Sequence, residues 1–446
     1  MRLTIILFSS LSALLTLLSG APCLRGAQII AGPMLGSVTP TSARVWLEID
    51  TSNYVRLDCY DMDNGEEVLS MGSDVAGPPP FVFDATLSGL QPDHDYRIMV
   101  SVNGTELPLP PPTFVIHTLP EPNVGKNVAI AFGSCADTDH YPDPAIWNSI
   151  AALQPQAFIF AGNTCYLPDN LNAFPYYNRE AMQFILQTYD SARQFAGFQH
   201  LLRICPMYAT WDDRDFGTPD SDSSFVFAQE SLVAFEHYWP NPSYGQPPVL
   251  GTFCTFRVGD VQIFLLDDRT FRRNPAPQDP GVMLGPQQVR WLEDNLFQSS
   301  AVFKVIVDGD QMLTSYSGRE GWSEFPAEKN AFLQWLFDHD VNGVVFISGH
   351  RGFGELTERK TDPDDLEQYP LYELTSSSLA YETLSPDQAV SFVNPDRVGS
   401  PVFENNFGLI SVTGPQGDRT LTLSLQDANG NVVLRQTIGA QKLQGQ

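Results

Sequence analysis

The chain has 446 residues, of which 43% are hydrophobic and 17% charged, a composition typical of a folded globular protein that excludes a disordered one. Its formal net charge of −27 repels nucleic acids and anionic membrane surfaces, so neither is an expected partner. The same field repels phosphate esters, and a phosphate-handling site would therefore need local positive charge from a metal or arginine. The length favours two domains.

The amino-terminal segment predicts export. Arg2 is followed by an apolar run at 3–18 and small residues at 19–21, the pattern of a secretory signal peptide. The alternative, a single transmembrane anchor, is less favoured because the run is short for a span of about 20 residues. Cys23 suggests a bacterial lipoprotein, but Pro22 directly before it fits lipidation poorly. We expect an exported protein, periplasmic or extracellular, without integral membrane association.

Short apolar runs separated by turn residues then predict an antiparallel β-sandwich. Leu90-Gln91-Pro92 followed by Tyr96 is typical of the corner of an immunoglobulin-like or fibronectin-like sandwich, where a tyrosine hydroxyl bonds back to the chain. Two prolines in Pro120-Glu121-Pro122 interrupt regular structure and mark the domain break. The predicted strands are 42–47, 54–60, 81–87, 96–102 and 114–117.

After the break, buried strands alternate with helical patterns, which favours a layered α/β domain. The turn Asn429-Gly430 predicts a final hairpin. Strands are expected at 128–132, 157–161, 207–210, 261–266, 303–307, 344–347, 407–412, 421–425 and 432–438, and helices at 144–153, 179–202, 230–238, 287–296 and 328–337. The predicted division is a signal peptide at 1–27, a β-sandwich at 28–118, an α/β domain at 123–412 and a β hairpin packed on it at 413–446.

Polar clusters follow several of these strands. Side chains at the carboxyl ends of parallel strands meet at one edge of a sheet, where α/β proteins keep their sites. The largest cluster is Trp211-Asp212-Asp213-Arg214-Asp215-Phe216-Gly217, and it is joined by Gly133-Ser134-Cys135, Gly162-Asn163-Thr164-Cys165-Tyr166, Asp267-Asp268-Arg269-Thr270-Phe271-Arg272 and Ser348-Gly349-His350-Arg351-Gly352.

The six cysteines are scattered and form neither a metal-knuckle spacing nor a dense disulfide framework. Cys205 and Cys254 lie in or beside apolar runs and are expected to be buried thiols. Cys135 and Cys165 fall at strand ends, where a disulfide, a metal ligand and a free thiol are all open.

Taken in order, these motifs resemble the PhoD-like alkaline phosphatases, a branch of the metallophosphoesterases. The resemblance extends over the sandwich and the α/β domain, and Leu284-Gly285 with Gln288, Trp291 and Leu292 adds to it. Such proteins hydrolyse phosphate mono- or diesters through two or three metal ions, iron and calcium in the best-known type. The metals neutralise the phosphate, acidify a bound water and stabilise the leaving oxygen.

The resemblance also implies site residues in this chain. The positions of the family's metal ligands are Cys135, Asn163, Tyr166, Asp213 and His350, and the catalytic positions are Asp212, Asp213, Arg214, Arg269 and Arg351. The expected partner is a phosphate ester or a phosphate-like anion. The sequence does not define an oligomeric state.

Several of these positions depart from the family pattern. The family has a bridging aspartate, a histidine, a late aspartate and a late histidine where this chain has Asn163, Arg214, His350 and Gly352. Pro219 lies near an expected asparagine. Cys135, Tyr166, Asp212 and Asp213 match.

These departures weaken a metal centre. Two divalent cations about 4 Å apart repel by roughly 16 kcal/mol at an effective dielectric near 20, so the bridging carboxylate is central. Asn163 offers no charge, and Arg214 has no lone pair to donate. We hypothesise that the Arg214 guanidinium stands where a cation stood, and that Asp212 and Asp213 pair with Arg214 or with a backbone turn.

The sequence therefore leaves three functions open. The first is an exported PhoD-like protein with an eroded metal centre, catalytically impaired or binding only phosphate or another oxyanion. The second is an active phosphomonoesterase or phosphodiesterase with an altered site, in which one metal is held by His350, Asp213 and Cys135. The third is a structural or interaction protein of the cell exterior. The resemblance implies iron and calcium, or other divalent metals, as the cofactors.

Overall fold

The computed structural model describes residues 27–109, 113–138, 140–141, 144–171, 179–316, 320–360 and 368–445. Residues 1–26 of the predicted signal peptide, with Cys23, lie outside the described residues. No helix in the described ranges is long and apolar enough to cross a bilayer.

The amino-terminal part forms two antiparallel sheets, as the sequence predicts. The hydroxyl of Tyr96 accepts a hydrogen bond from the backbone N–H of Gln91 at 2.8 Å, which confirms the predicted corner. Side chains of the two sheets share one core. The strands are β1 (Ile29–Val38), β2 (Ser42–Ile49), β3 (Asn53–Asp61), β4 (Glu67–Val75), β5 (Phe81–Ser88), β6 (Asp95–Val102), β7 (Thr105–Glu106) and β8 (Val115–His117), with sheet orders β1-β2-β5 and β4-β3-β6-β7 and with β8 beside β6.

The remaining strands form two larger mixed sheets. The six-stranded sheet, in the order β11-β10-β9-β19-β20-β21, contains β9 (Val128–Gly133), β10 (Ala157–Ala161), β11 (Met207–Thr210), β19 (Asn406–Thr413), β20 (Thr420–Asp427) and β21 (Val432–Gly439). The seven-stranded sheet, in the order β12-β13-β14-β15-β17-β16-β18, contains β12 (Cys254–Val258), β13 (Val261–Leu265), β14 (Phe303–Val307), β15 (Val344–Ser348), β16 (Gly354–Arg359), β17 (Leu371–Thr375) and β18 (Arg397–Val402).

Helices cover the outer faces of these sheets, so the domain has α, β, β and α layers. Inward side chains such as Ile159 and Val305 belong to one core, whereas Phe160 on the other face of β10 contacts helical Phe198. The helices are α1 (Pro144–Ala152), α2 (Arg179–Arg193), α3 (Ala196–Ile204), α4 (Asp213–Phe216), α5 (Ala228–Tyr238), α6 (Gly285–Gln298) and α7 (Pro326–Asp338).

The structure corrects some predicted elements. The helix expected at 179–202 is two helices, α2 and α3, because the backbone is extended at Phe195 between them. Strands β1, β4, β7, β12 and β16–β18 were not predicted. The side chains of β4 are largely exposed, so that strand lacks the apolar alternation that predicts a half-buried strand.

The topology brings two sets of strand ends to one place. Strands β9, β10 and β11 run parallel in the first sheet, and β13, β14 and β15 run parallel in the second. The residues after their carboxyl ends form the candidate site. This is the convergence that the polar clusters predict.

Candidate functional site

Three strand ends at the site carry strained backbone. Cys135, Asn163 and His350 have φ angles of 59°, 54° and 67°, in the left-handed region that costs about 1–3 kcal/mol for a residue other than glycine. Close packing requires the glycine before Asn163, since a Cβ on Gly162 would lie 2.4 Å from the Cβ of Asp212. Strain of this kind persists where the surrounding contacts over-determine the backbone.

Asp215 supplies those contacts for the turn at Asn163. Its carboxylate accepts hydrogen bonds from the backbone N–H groups of Asn163 (2.5 Å), Thr164 (2.6 Å) and Cys165 (3.1 Å), and also from that of Asp212. Burial raises the pKa of Asp215 to about 7, although these hydrogen bonds oppose the shift. The sequence reasoning gave Asp215 no role.

Both carboxylate oxygens of Asp212 accept hydrogen bonds, and the donors follow strands of both sheets. One carboxylate oxygen accepts from Arg269 Nε at 3.0 Å and from Arg269 Nη2. The other accepts from His350 Nδ1 at 2.5 Å and from the Asn163 amide nitrogen at 2.9 Å. Burial opposes ionisation, but Arg269 and His350 hold the pKa of Asp212 well below its usual range. Asp212 is therefore an ion-paired carboxylate.

Asp213 lies beside Asp212 in a less favourable environment. One oxygen accepts from the Asn163 amide nitrogen at 3.1 Å, and the other accepts from the backbone N–H of Asp220 at 3.1 Å. Burial and the negative charge of Asp212 raise the pKa of Asp213. The predicted pairing with a backbone turn thus holds for this residue.

The hypothesis about Arg214 is corrected by the structure. Its Nη2 lies 2.9 Å from Asp169 Oδ1, and its guanidinium lies 5.2 Å from the ring centre of Tyr166. The cations that pair with Asp212 are Arg269 and His350. Consecutive residues on a helix point about 100° apart, so Arg214 on α4 faces away from its neighbour's partners.

Arg269 is the centre of the positive charge. It is fully buried, and it pairs with Asp212, with Asp310 Oδ2 at 3.1 Å and with Glu320 Oε1 at 3.0 Å. Arg351, which the sequence offered as a phosphate contact, is also buried and donates to Asp310 Oδ1 at 2.6 Å. Both arginines therefore bind carboxylates of the protein itself.

The sequence reasoning gave no role to Asp310 or Glu320, and Arg272 entered it only as the last residue of the Asp267–Arg272 motif. Arg272 Nη1 lies 3.2 Å from Asp310, and its Nη2 lies 3.2 Å from Glu320. Burial alone would raise the pKa of Glu320, but Arg269, His350 and Arg272 lower it to about 2. Asp310 follows the carboxyl end of β14. The rule that polar residues after parallel strands meet at one edge therefore also predicts Asp310 at the site. Glu320 comes from a loop without such a signal.

His350 is the most exposed cation of the group, with 20% of its side chain accessible. Burial would lower its pKa, but Asp212 and Asp310 raise it to about 10. The imidazole is therefore protonated at neutral pH. Its Nε2 lies 3.6 Å from Glu320 Oε2.

We call the charged groups around Arg269 the inner cluster. Six carboxyl groups against four cations leave an excess of two negative charges if all are ionised. Burial and neighbouring carboxylates raise the pKa values of Asp268 and Asp308 well above their usual range. The members of the inner cluster are Asp212, Asp213, Asp268, Asp308, Asp310, Glu320, Arg269, Arg272, Arg351 and His350.

Cys135 and Tyr166 lie at the edge of this cluster. The Ser377 hydroxyl donates to Cys135 Sγ at 3.3 Å, and the Tyr166 ring stacks on Tyr381 with 4.7 Å between ring centres. Burial and proximity to Cys135 raise the pKa of the Tyr166 phenol well above its usual range. Cys135 and Cys165 are both free thiols, so no disulfide joins them.

Two groups at the site have the donor atoms for a cation. They are Asp212 with Asp310 and His350, and Asp213 with Asp220 and Glu320, each within 4.8 Å. The first group does not fit a metal, because both carboxylate oxygens of Asp212 already accept hydrogen bonds from N–H groups. One of these donors is the imidazole of His350, which would have to be a metal ligand itself. The donor set therefore does not fit the two-metal centre of the resembled family.

The second group fits a single cation better. Glu320 Oε2 is buried without a hydrogen-bond partner in the described part of the chain, and Asp220 is exposed. Burial, then Glu320 and Asp213, raise the pKa of Asp220 to about 6, which reflects crowding of negative charge.

The two facing mixed sheets with outer helices and a polar site at their strand ends define a metallophosphoesterase fold. A family model for PhoD-like phosphatase matches residues 130–410. The chain therefore belongs to the PhoD-like phosphatase family.

Solved structures confirm the fold. The chain superposes on a structure of PhoD with a TM-score of 0.73 and 16% identity over 91% of this chain and 92% of that one. It superposes on a purple acid phosphatase isolated from yellow lupin (Lupinus luteus) seeds with a TM-score of 0.67 and 13% identity, over 91% of this chain and 73% of that one. A search of curated protein sequences gave no significant match.

We expect Asp215→Asn to destabilise the protein by about 2–4 kcal/mol, because the amide presents donors to backbone N–H groups that need an acceptor. Urea unfolding measures the effect. Asp169→Asn is the control, since Asp169 is exposed and is expected to change stability by less than about 0.5 kcal/mol. Equal unfolding midpoints for the two variants would contradict the role of Asp215.

His350→Gln should change how stability depends on pH. Folding raises the pKa of His350 from 6.5 to about 10, so its stabilisation is complete below pH 6.5 and is lost as pH rises through 10. The difference in unfolding free energy between wild type and variant should therefore shrink by up to roughly 5 kcal/mol over that range. His339→Gln at an exposed helix end is the control. A difference that does not vary with pH would refute the assignment.

Proposed function

We propose that this protein is an exported member of the PhoD-like phosphatase family that does not catalyse metal-dependent phosphoester hydrolysis. The proposal rests on the hydrogen bonds of Asp212. Its two carboxylate oxygens accept them from Arg269, His350 and Asn163. A two-metal phosphatase needs ligand oxygens free to bind cations. Here these oxygens neutralise arginine and histidine.

Phosphate binding without turnover is the activity that the site supports best. His350 is cationic at neutral pH and partly exposed, whereas Arg269 and Arg351 are buried against carboxylates. A phosphate-like anion would therefore meet His350 first. The neighbouring Glu320 and the net charge of −27 oppose that anion, so we expect weak binding.

A second candidate function rests on Asp213, Asp220 and Glu320. Their carboxylates could hold one hard divalent cation such as calcium, which prefers oxygen ligands. This function corresponds to the active phosphoesterase with one metal that the sequence left open. Its ligands differ from the predicted set of His350, Asp213 and Cys135. Cys135 Sγ instead contacts Ser377 and the carbonyl of His350.

Metal content and turnover test the proposal together. The purified protein should contain less than one equivalent of iron, calcium or manganese, and it should not release p-nitrophenol from the phosphate monoester or diester when these metals are added. Inorganic phosphate should bind, with a dissociation constant on the order of millimolar. Elemental analysis, absorbance at fixed pH and calorimetry are the measurements.

Glu320→Gln separates the two candidates. If a single cation supports turnover, the variant should lose metal and activity, whereas Asp63→Asn, in an acidic group of the sandwich, should retain both. Chelator-sensitive hydrolysis by wild type would overturn the non-catalytic proposal. Absence of both phosphate binding and turnover would leave the structural or interaction role.

A further inference from the structure

One buried arginine of the described chain lacks the partners that the others have. Arg203 is only 5% exposed, yet its Nε has no hydrogen-bond partner, and among the described residues its guanidinium forms no ion pair. Each of the other buried arginines binds carboxylates or backbone carbonyls: Arg193, Arg269, Arg272, Arg351 and Arg419. An unpaired buried charge is costly unless something else satisfies it.

Arg203 lies far from the candidate phosphatase site. It is in the last turn of α3, before the amino end of β11, whereas Asp212 follows the carboxyl end of that strand. Lysine and arginine often bind carbonyls at a helix end. Here the carbonyl of Leu201 accepts from the backbone N–H of Cys205, and no hydrogen bond to a carbonyl is made by the Arg203 guanidinium within the described ranges.

A cavity of about 670 Å³ opens beside this guanidinium, between the amino-terminal sandwich and the end of α3. This volume lies within the range of small-molecule sites. Arg203 is the one charged residue among the described residues that line the cavity. The lining also offers glutamine amides and an apolar wall, which include Gln28, Gln199, Ile29, Leu107 and Leu109.

A second cavity, of about 500 Å³, reaches Arg203 from the side of Leu35 and Pro155. The guanidinium therefore has open space on two sides. Burial lowers the pKa of Arg203, which is the direction expected for a cation without a compensating anion.

We propose that the 670 Å³ cavity binds a small organic carboxylate with an apolar chain, whose carboxylate pairs with Arg203. A guanidinium presents two parallel N–H donors that match a carboxylate, and the apolar wall suits an alkyl body. In a chain with a net charge of −27, an unpaired cation is a selective place for an anion. This site is independent of the proposed function.

Calorimetric titration of the full chain with octanoate tests the proposal, with octanol as the neutral analogue. Octanoate should bind wild type at least tenfold more tightly than octanol does, because only octanoate pairs with the guanidinium. Arg203→Met keeps the apolar stem and should weaken octanoate binding at least tenfold. Arg56→Met, at an exposed site on β3, should leave it unchanged.

Removal of an unpaired buried charge should not lower the melting temperature, so Arg203→Met is expected to fold. If the variant does not fold, the affinities of octanoate and octanol for the wild-type protein still test whether the cavity selects a carboxylate. Equal binding of octanoate to wild type and Arg203→Met, equal binding of octanoate and octanol to wild type, or no octanoate binding by folded wild type would each overturn the proposal.

Discussion

The architecture of the site depends on the ion pairs of Asp212. This carboxylate follows β11 in the first sheet, and its partners Arg269 and His350 follow β13 and β15 in the second. The pairs therefore tie the two sheets together across the edge where a phosphatase of this fold has its active site. Removing one partner of such a buried pair leaves an uncompensated charge, which typically costs about 3–5 kcal/mol.

The same ion pairs offset much of the negative charge that is crowded at this edge. Arginine cations lie among the carboxylates, and burial raises the pKa values of Asp268 and Asp308 above their usual range. A guanidinium is held by covalent attachment to the chain, so it neutralises the cluster permanently but leaves no open coordination position. A catalytic metal supplies such a position for water or substrate.

Much of the site could be predicted from the sequence because it obeys a rule of topology. Polar residues after parallel strands must meet at one edge, which brought Cys135, Asn163, Asp212 and His350 together. The positions of strand ends do not determine the direction in which each side chain points. Arg214 is adjacent to Asp213, but α4 turns it toward Asp169, and the positive charge expected from it is supplied by Arg269.

Partners that come from loops were harder to predict. Glu320 lies ten residues beyond Asp310, and no pattern in the sequence connects it with Arg269 or His350. Periodicity reports local structure, whereas such partners are set by tertiary contacts.

Thermal unfolding with and without metal tests the central claim most directly. A ligand that binds only the folded state stabilises it by about 2.7 kcal/mol at a concentration one hundred times its dissociation constant. If arginine and histidine replace the metals, the melting temperature should be the same, within about 1 °C, in excess chelator and in millimolar calcium, iron or manganese. A rise of several degrees with metal, reversed by chelator, would contradict the account.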